Sequence, residues 1–533
     1  MTRWMLLLVS LPLNAQILFN QSGYLSGDHL VAKGAPDSQV VLLDQQERPA
    51  ATLVAGADGW LKTERPLSPG WYKLEGSEGE LFPIGPAGQE QTLELLVRAY
   101  RYQHAGRALL DGATGFRRPA GHGNDAILAR GDTFHREGQY VEVRGGWYDA
   151  GDYGKYLATT TITAARLLDA AKQLAPSRPE LAEAMLKEAQ VGLDWLPKMQ
   201  RPDGAFYRKV SGARWPEMVP PHLDRQPRYL YGISTPDTAK AVAVLAMAAR
   251  QLADRDPQRA QRYLESALEG WHWLRSIPRQ HIDWRTSDDG GSGPYIFNRW
   301  DQQPSLNHDR DDRFWAAVEL YLTTGEKMLL PHIRAKLPES LMLFEWKDPS
   351  LMGALHLMEA DIDPLLSQQI SIRLLARCRQ LAEQARDNPY RVANRRFILG
   401  SNKMVAEQGV MLAHCHTLEP NSGFLELAWN QWHYLAGLNP LGQSYITGVG
   451  HRPVAHLHHI WARSAGIVPP GMMVGGPNGD SQAGIAPKGQ GMRSYVDDER
   501  DYSVNEFAID YNAAAIGLVS LLLTMDGEIP SQR

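Results

Sequence analysis

Residues 181–196 read Leu181-Ala182-Glu183-Ala184-Met185-Leu186-Lys187-Glu188-Ala189-Gln190-Val191-Gly192-Leu193-Asp194-Trp195-Leu196. Leu181, Met185, Ala189, Leu193 and Leu196 recur at spacings of three and four, which sets them on one face of a helix. The same spacing returns in Leu264, Ala267, Trp271 and Leu274, and in Phe314, Ala317, Val318, Tyr321 and Leu322. Similar stripes run near 160–174, 238–252, 365–386, 402–418, 422–438 and 506–523. One stripe buries one helix against a neighbour, so about ten to twelve helices, as predicted here, must share a centre.

Upstream the pattern changes. Ile17-Leu18-Phe19, Gln39 to Leu43, Gly70 to Leu74 and Leu81 to Ile84 are short apolar or alternating runs separated by Pro, Gly and Asp. Such spacing predicts a small β-sandwich over 16–90. Pro83, Gly85, Pro86 and Gly88 mark its exit into a helical domain over 91–533. Met1-Thr2-Arg3-Trp4, an apolar run through Leu13 and then Asn14-Ala15 have the charge, length and small residue of a secretory signal over 1–15. The expected location is therefore secreted or periplasmic, and that run is too short for a membrane span.

Lys and Arg number 55 against 60 Asp and Glu, a net charge of −5. That balance offers no basic face for nucleic acid. Cys378 and Cys415 are the only cysteines, both within apolar helical text, and read as buried free thiols. Two cysteines also exclude a multi-cysteine zinc site. From about Pro440 to Ser503 the chain is rich in Gly, Pro, His and Met and shows no helical stripe. A connection that long in a compact domain points to a binding surface.

Gly145-Gly146-Trp147-Tyr148-Asp149-Ala150-Gly151-Asp152-Tyr153-Gly154-Lys155-Tyr156 sets two aspartates three apart around a glycine. A bend at Gly151 would aim both into one cleft, where one carboxylate deprotonates a water and the other orients it. A turn or a cap leading into the 160s helix is the plainer use of the same residues. Near the C-terminus, Asp501-Tyr502-Ser503-Val504-Asn505-Glu506-Phe507 precedes an Ala-rich helix. With Ser503 or Asn505 as cap, Glu506 falls in the first helical turn, where it suits the helix dipole. Beside Phe507 and Tyr502 it also suits a protonated acid that donates to a departing oxygen.

At these motifs the chain resembles glycoside hydrolase family 9, an inverting cellulase family. The resemblance extends through Asp203-Gly204-Ala205-Phe206-Tyr207-Arg208-Lys209-Val210, Ser234-Thr235-Pro236-Asp237-Thr238-Ala239-Lys240, Asp311-Asp312-Arg313-Phe314-Trp315-Ala316-Ala317 and Leu438-Asn439-Pro440-Leu441-Gly442. It implies an (α/α)6 barrel behind an immunoglobulin-like β-sandwich. It implies hydrolysis of β-1,4-linked glucan chains or oligosaccharides, with Asp152 as general base, Asp149 as second holder of the water and Glu506 as general acid. Tyr502 is expected to line the cleft, and Trp147 and Tyr207 to contact substrate. His458 and His459 stand as sugar contacts or as loop-pinning side chains. The family's His-His-Arg reads His458-His459-Ile460 here, with Arg463 three residues on as the candidate replacement. Arg208 stands where similar members often carry His. Some relatives hold zinc with cysteines and a histidine; His122 remains, but with no cysteine near it that metal site is expected to be absent. No cofactor is required. A structural calcium on Asp309, Asp311 and Asp312 competes with surface salt bridges as their use. The expected partner is a β-linked oligo- or polysaccharide, with no nucleic acid and no membrane; oligomeric state is open. Within hydrolysis, an exo-acting β-glucosidase or exo-β-glucosaminidase competes with an endoglucanase. Outside it stand a non-catalytic carbohydrate-binding protein and a polysaccharide lyase.

Overall fold

A computed structural model describes residues 17–25, 30–75, 81–292 and 303–525. The expected leader over 1–15 lies outside the described residues. Seven strands come first: β1 (Leu18–Phe19), β2 (Val31–Lys33), β3 (Gln39–Asp44), β4 (Pro49–Ala55), β5 (Trp60–Lys62), β6 (Gly70–Leu74) and β7 (Phe82–Ile84). They join antiparallel in the order β1-β2-β5-β4-β3-β6-β7. Alternate residues Val40, Leu42, Leu53, Ala55, Tyr72 and Leu74 point inward and form a core of their own. This is the immunoglobulin-like β domain.

Helix α1 (Ala87–Gln103) starts just past Pro86, four residues before the expected boundary. Two small ladders follow. β8 (Leu109–Leu110) pairs with β9 (Arg117–Arg118). β10 (Ile127–Leu128), β11 (Lys155–Tyr156), β12 (Tyr207–Gly212) and β13 (Arg228–Ile233) form a four-stranded sheet in the order β10-β13-β12-β11.

The barrel helices are α2 (Leu157–Leu174), α3 (Pro179–Leu193), α4 (Thr235–Leu252), α5 (Pro257–Ser276), α6 (Arg310–Thr324), α7 (Leu330–Lys336), α8 (Ser350–Ala360), α9 (Pro364–Arg386), α10 (Ser401–Leu418), α11 (Phe424–Leu435), α12 (Ile460–Ala465), α13 (Tyr502–Asn505) and α14 (Ile509–Thr524). The short α7, α12 and α13 carry too few turns to print a stripe, so the sequence count falls below the fourteen helices of the described residues. Helices α2, α4, α10 and α14 are buried nearly all round and form the inner layer with α6 and α8. Helices α3, α5 and α9 pack one face on them, as the (α/α)6 barrel requires. The Ala-rich text of α4 lets its neighbours approach from several sides, and Ser234 caps its start by accepting the Asp237 N–H at 3.0 Å.

Gln21 locks the β domain onto the barrel. Its N–H donates to the Ala436 carbonyl at 2.8 Å and its Nε2 to the Gly442 carbonyl at 2.9 Å, while its Oε1 accepts from the Arg452 N–H at 3.0 Å. Trp432 Nε1 donates to Ser22 Oγ at 3.2 Å. Cys378 on α9 and Cys415 on α10 form a disulfide, not the expected pair of free thiols. Their separation of 37 residues spans a helix hairpin that sequence spacing does not reveal.

Candidate active site

The segment Gly145–Tyr156 runs from an irregular loop into β11 and α2, and its first two glycines explain why it folds locally. Both have left-handed φ, 98° and 71°, and a Cβ on Gly146 would meet the Trp195 ring at 2.9 Å. Trp147 is not a substrate contact. Its ring is 0% exposed, lies against Gly192, and donates Nε1–H to Glu188 Oε1 at 2.8 Å. It fixes the segment from behind. Tyr148 N–H donates to the Gln103 carbonyl at 2.8 Å, and Gln103 Nε2 donates to the Ala150 carbonyl at 2.7 Å.

Gly151 does not occupy a left-handed bend; its role is close approach. A Cβ there would lie 2.6 Å from the His458 carbonyl oxygen, 2.9 Å from Glu506 Oε1 and 3.2 Å from His459 Cα. Through this gap three segments meet. Gly151 N–H donates to Glu506 Oε1 at 3.1 Å, Ile460 N–H donates to the Gly151 carbonyl at 2.8 Å, and His458 N–H donates to the Asn505 carbonyl at 3.0 Å. Ile509 N–H closes the ring by donating to the Asp149 carbonyl at 2.9 Å. Glu506 is extended and sits between α13 and α14, so it is not in the first turn of a helix as the sequence suggests.

Asp149, Asp152 and Glu506 therefore share one site, and each carboxyl is held above its ordinary range. Burial is the main cause for all three. For Glu506 the charge of Asp152 adds to it, and the pKa rises well above the usual glutamate value. For Asp149 the like charge of Asp510 adds, giving about 8, against the Thr159 hydroxyl that donates to Oδ1. For Asp152 nothing adds, while the Gly154 N–H, Arg228 and Lys209 all favour the ionised form. Asp152 is thus the readiest of the three to be an anion and Glu506 is set to keep its proton.

The other expected contacts divide. Tyr502 is exposed, and the His458 ring stands edge-on to it at 6.2 Å between centroids. His458 is half-buried and donates Nδ1–H to the Glu499 carbonyl at 2.7 Å, which leaves Nε2 for another partner. Arg463, half-buried, lies 3.5 Å from Glu499 Oε1. Ile460, in place of the family Arg, is buried and contributes only its backbone N–H. His459 is the loop-pinning alternative. It is 2% exposed, its Nε2 meets Gln103 Oε1 at 2.8 Å and its Nδ1 accepts the Ala462 N–H at 3.3 Å, while burial pushes its pKa down to about 3. Tyr207 is not a sugar contact either: its ring is buried and its hydroxyl donates to Asp132 Oδ2 at 2.6 Å. Arg208 is also buried, 3.6 Å from Asp237 and 3.2 Å from the Asp283 carbonyl.

The acidic triad is neither an open calcium site nor a set of surface salt bridges. Asp309 meets Arg313 at 2.9 Å, Asp312 meets Lys240 at 2.5 Å and Asp311 meets His308 at 3.1 Å, with all three carboxylates buried. Among the described residues no cluster of His, Cys, Asp and Glu is arranged to hold a metal ion. His122 is taken up by Tyr148 Oη at 2.7 Å and Asp224 Oδ2 at 3.1 Å. Sequence reasoning missed Gln103, Thr159 and Asp510, all ordinary residues whose importance lies in what they touch.

Comparison with known proteins agrees with this fold. The description "Glycosyl hydrolase family 9" matches residues 90–519. The xyloglucan-specific endo-beta-1,4-glucanase BoGH9A of Bacteroides ovatus is 26% identical over 96% of this chain and 94% of its own. A cellodextrinase of Butyrivibrio fibrisolvens is 24% identical over 85% of this chain and 88% of its own. The crystal structure of a metagenome-derived glycoside hydrolase family 9 endoglucanase superposes with a TM-score of 0.87, at 34% identity over 96% of this chain and 99% of that one. By its match to the family over residues 90–519 and its likeness to a solved family 9 endoglucanase, the chain belongs to glycosyl hydrolase family 9.

Proposed function

We propose that this protein hydrolyses β-1,4-linked glucan chains and their soluble oligosaccharides with inversion at the anomeric carbon. The observation that carries the reading is the hydrogen bond from Gly151 N–H to Glu506 Oε1, which joins the acid to the backbone between the two aspartates. Asp152 takes a proton from water, Asp149 holds that water, and Glu506 protonates the leaving oxygen. The surroundings favour the anion at Asp152 and the proton on Glu506, as those two roles require, while burial and the Asp510 charge hold Asp149 toward its acid form. A carbohydrate receptor needs neither the anion nor the acid, and a lyase needs a base beside a uronic acid, so hydrolysis is the better use of this site.

His458, Tyr502 and Arg463 hold the sugar at the cleavage point. Arg463 stands one helical turn beyond the family position and takes the place of its guanidinium through Glu499. The altered loop favours soluble or amorphous chains over crystalline cellulose. Secretion or a periplasmic location is supported by the Cys378–Cys415 disulfide, which persists in oxidising compartments. No helix of the described residues is long and apolar enough to cross a membrane.

The test is product analysis on cello-oligosaccharides, xyloglucan oligosaccharides and chitosan oligosaccharides, with the anomer followed by NMR. Initial release of the α-anomer from the cello series is expected, and the product sizes separate endo from exo action. Release of the β-anomer would overturn the water-attack mechanism. Turnover of the chitosan series alone would move the substrate to glucosaminides.

A further inference from the structure

Behind Asp149 lies a chain of buried charges that the hydrolytic scheme does not use. Lys403 on α10 is buried, with Nζ 3.1 Å from Asp510 Oδ2 and 2.9 Å from Glu345 Oε2. Asp510 follows Ile509, whose N–H holds the Asp149 carbonyl at 2.9 Å, so this ion pair is tied to the water-holding residue by one residue of backbone. Asp510 is 3% exposed and Glu345 6%, so water screens neither well. The groups facing Asp149 are then Asp152 of its own segment, Tyr156 ahead of α2, Glu506 on the strand-like link, Asp510 and Tyr511 at the start of α14, and Lys403 on α10. Of the charged neighbours outside the reacting trio, one is an anion and one a cation, and they are bonded to each other.

We propose that the buried Lys403–Asp510 pair is a positioning device that sets how readily Asp149 gives up its proton, and so places the acidic edge of the working pH range. The proposal rests on the reading of Asp149 as the residue that holds the attacking water. Burial and the Asp510 charge oppose ionisation of Asp149, while Lys403 favours it. The two members of one ion pair therefore act on Asp149 with opposite sign, and a role in folding alone has no such signature. Ionised Asp149 accepts the water's O–H more strongly than its acid form does, so the loss of its proton belongs to the acid limb of the rate profile, which it shares with Asp152 as a coupled pair.

The experiment is the pH profile of kcat/KM on a soluble cello-oligosaccharide for the wild type, Asp510→Asn, Lys403→Met and the double variant K403M/D510L, each checked by thermal unfolding. Asp510→Asn should move the acid limb to lower pH and Lys403→Met to higher pH, each by about 1 unit, the low end of a close charge's effect. Limbs that stay in place, or that both move the same way, overturn the proposal. Asp510→Asn keeps Lys403 paired to Glu345, whereas Lys403→Met strands both Asp510 and Glu345 and can fail to fold; the double variant strands Glu345 alone and is tolerated better. In the double variant the two opposite effects offset, so its limb should lie between those of the single variants; a limb outside that interval also refutes the pair's role. A wild-type enzyme that gives the β-anomer refutes the hydrolytic scheme itself, whereas inversion with an immobile limb refutes only this inference.

Discussion

Replacing Gly151 with Ala adds one methyl group at the point where all three catalytic segments touch. That methyl would lie 2.6 Å from the His458 carbonyl oxygen and 2.9 Å from Glu506 Oε1, where ordinary contact begins at 3.4 Å. Relief on the His458 side alone takes about 0.8 Å of movement. Both neighbours are tied down. His458 is held by Asn505 and Glu499, and the Glu506 backbone by the Gly475 N–H at 2.9 Å. Overpacking of this kind costs about 1–3 kcal/mol of stability. The same movement separates Glu506 from the aspartates, and a misplacement near 1 Å costs about 10²-fold in rate. We therefore expect Gly151→Ala to fold, to unfold at a temperature a few degrees lower, and to lose about 10²-fold in kcat on a cello-oligosaccharide. KM should change much less, because Tyr502 and Arg463 lie outside the crowded contact. The assay is steady-state kinetics beside a thermal melt. An alanine variant with wild-type kcat and melting temperature would refute the claim that close approach at Gly151 assembles the site.

Glu506→Gln should lose about 10²–10⁴-fold on oligosaccharides and recover much of it on an aryl glycoside whose leaving group needs no proton, while Asp152→Asn should be slow on both. Equal losses of Glu506→Gln on the two substrates would remove its role as acid. In Glu506→Gln the alkaline limb of the pH profile should also vanish, since that limb is the raised carboxyl giving up its proton. The double variant C378A/C415A should lose about 2–4 kcal/mol in chemical unfolding, as expected for a crosslink that closes a loop of tens of residues, with kcat unchanged. Unaltered unfolding free energy would show that the bond adds nothing to the α9–α10 hairpin.

What the sequence shows plainly is whatever repeats along it. The stripe from Leu181 to Leu193 is visible because α3 buries one face, and the alternation in β3 because that strand does the same. Helices α7, α12 and α13 are too short to repeat, and Cys378 and Cys415 sit on two different helices whose register is set by packing. Residue type misleads where burial decides. Trp147 and Tyr207 have the chemistry of sugar platforms, but their polar atoms are already bonded to Glu188 and Asp132 in the interior. His458 and His459 are adjacent and chemically equal, yet the extended backbone between them sends one ring toward Tyr502 and the other inward to Gln103.

The trio of carboxylates was legible as residue types and not as a site, because Glu506 and Asp152 are joined only by the folded barrel. Gly151 is the clearest case of the difference. The letters suggest a bend, since glycine most often serves a turn. The structure uses it for what it lacks: without a side chain it admits the His458 carbonyl on one side and the Glu506 carboxyl on the other. That proximity also creates the electrostatic problem the site turns to use, since three buried carboxyls cannot all ionise together. Arg228, Lys209 and the Gly154 N–H lower the cost for Asp152 alone, so the anion settles there and the proton stays on Glu506. Division of labour between base and acid thus follows from which of Asp152 and Glu506 has cations near it, a property of neighbours that stand 57 and 76 residues along the chain from Asp152.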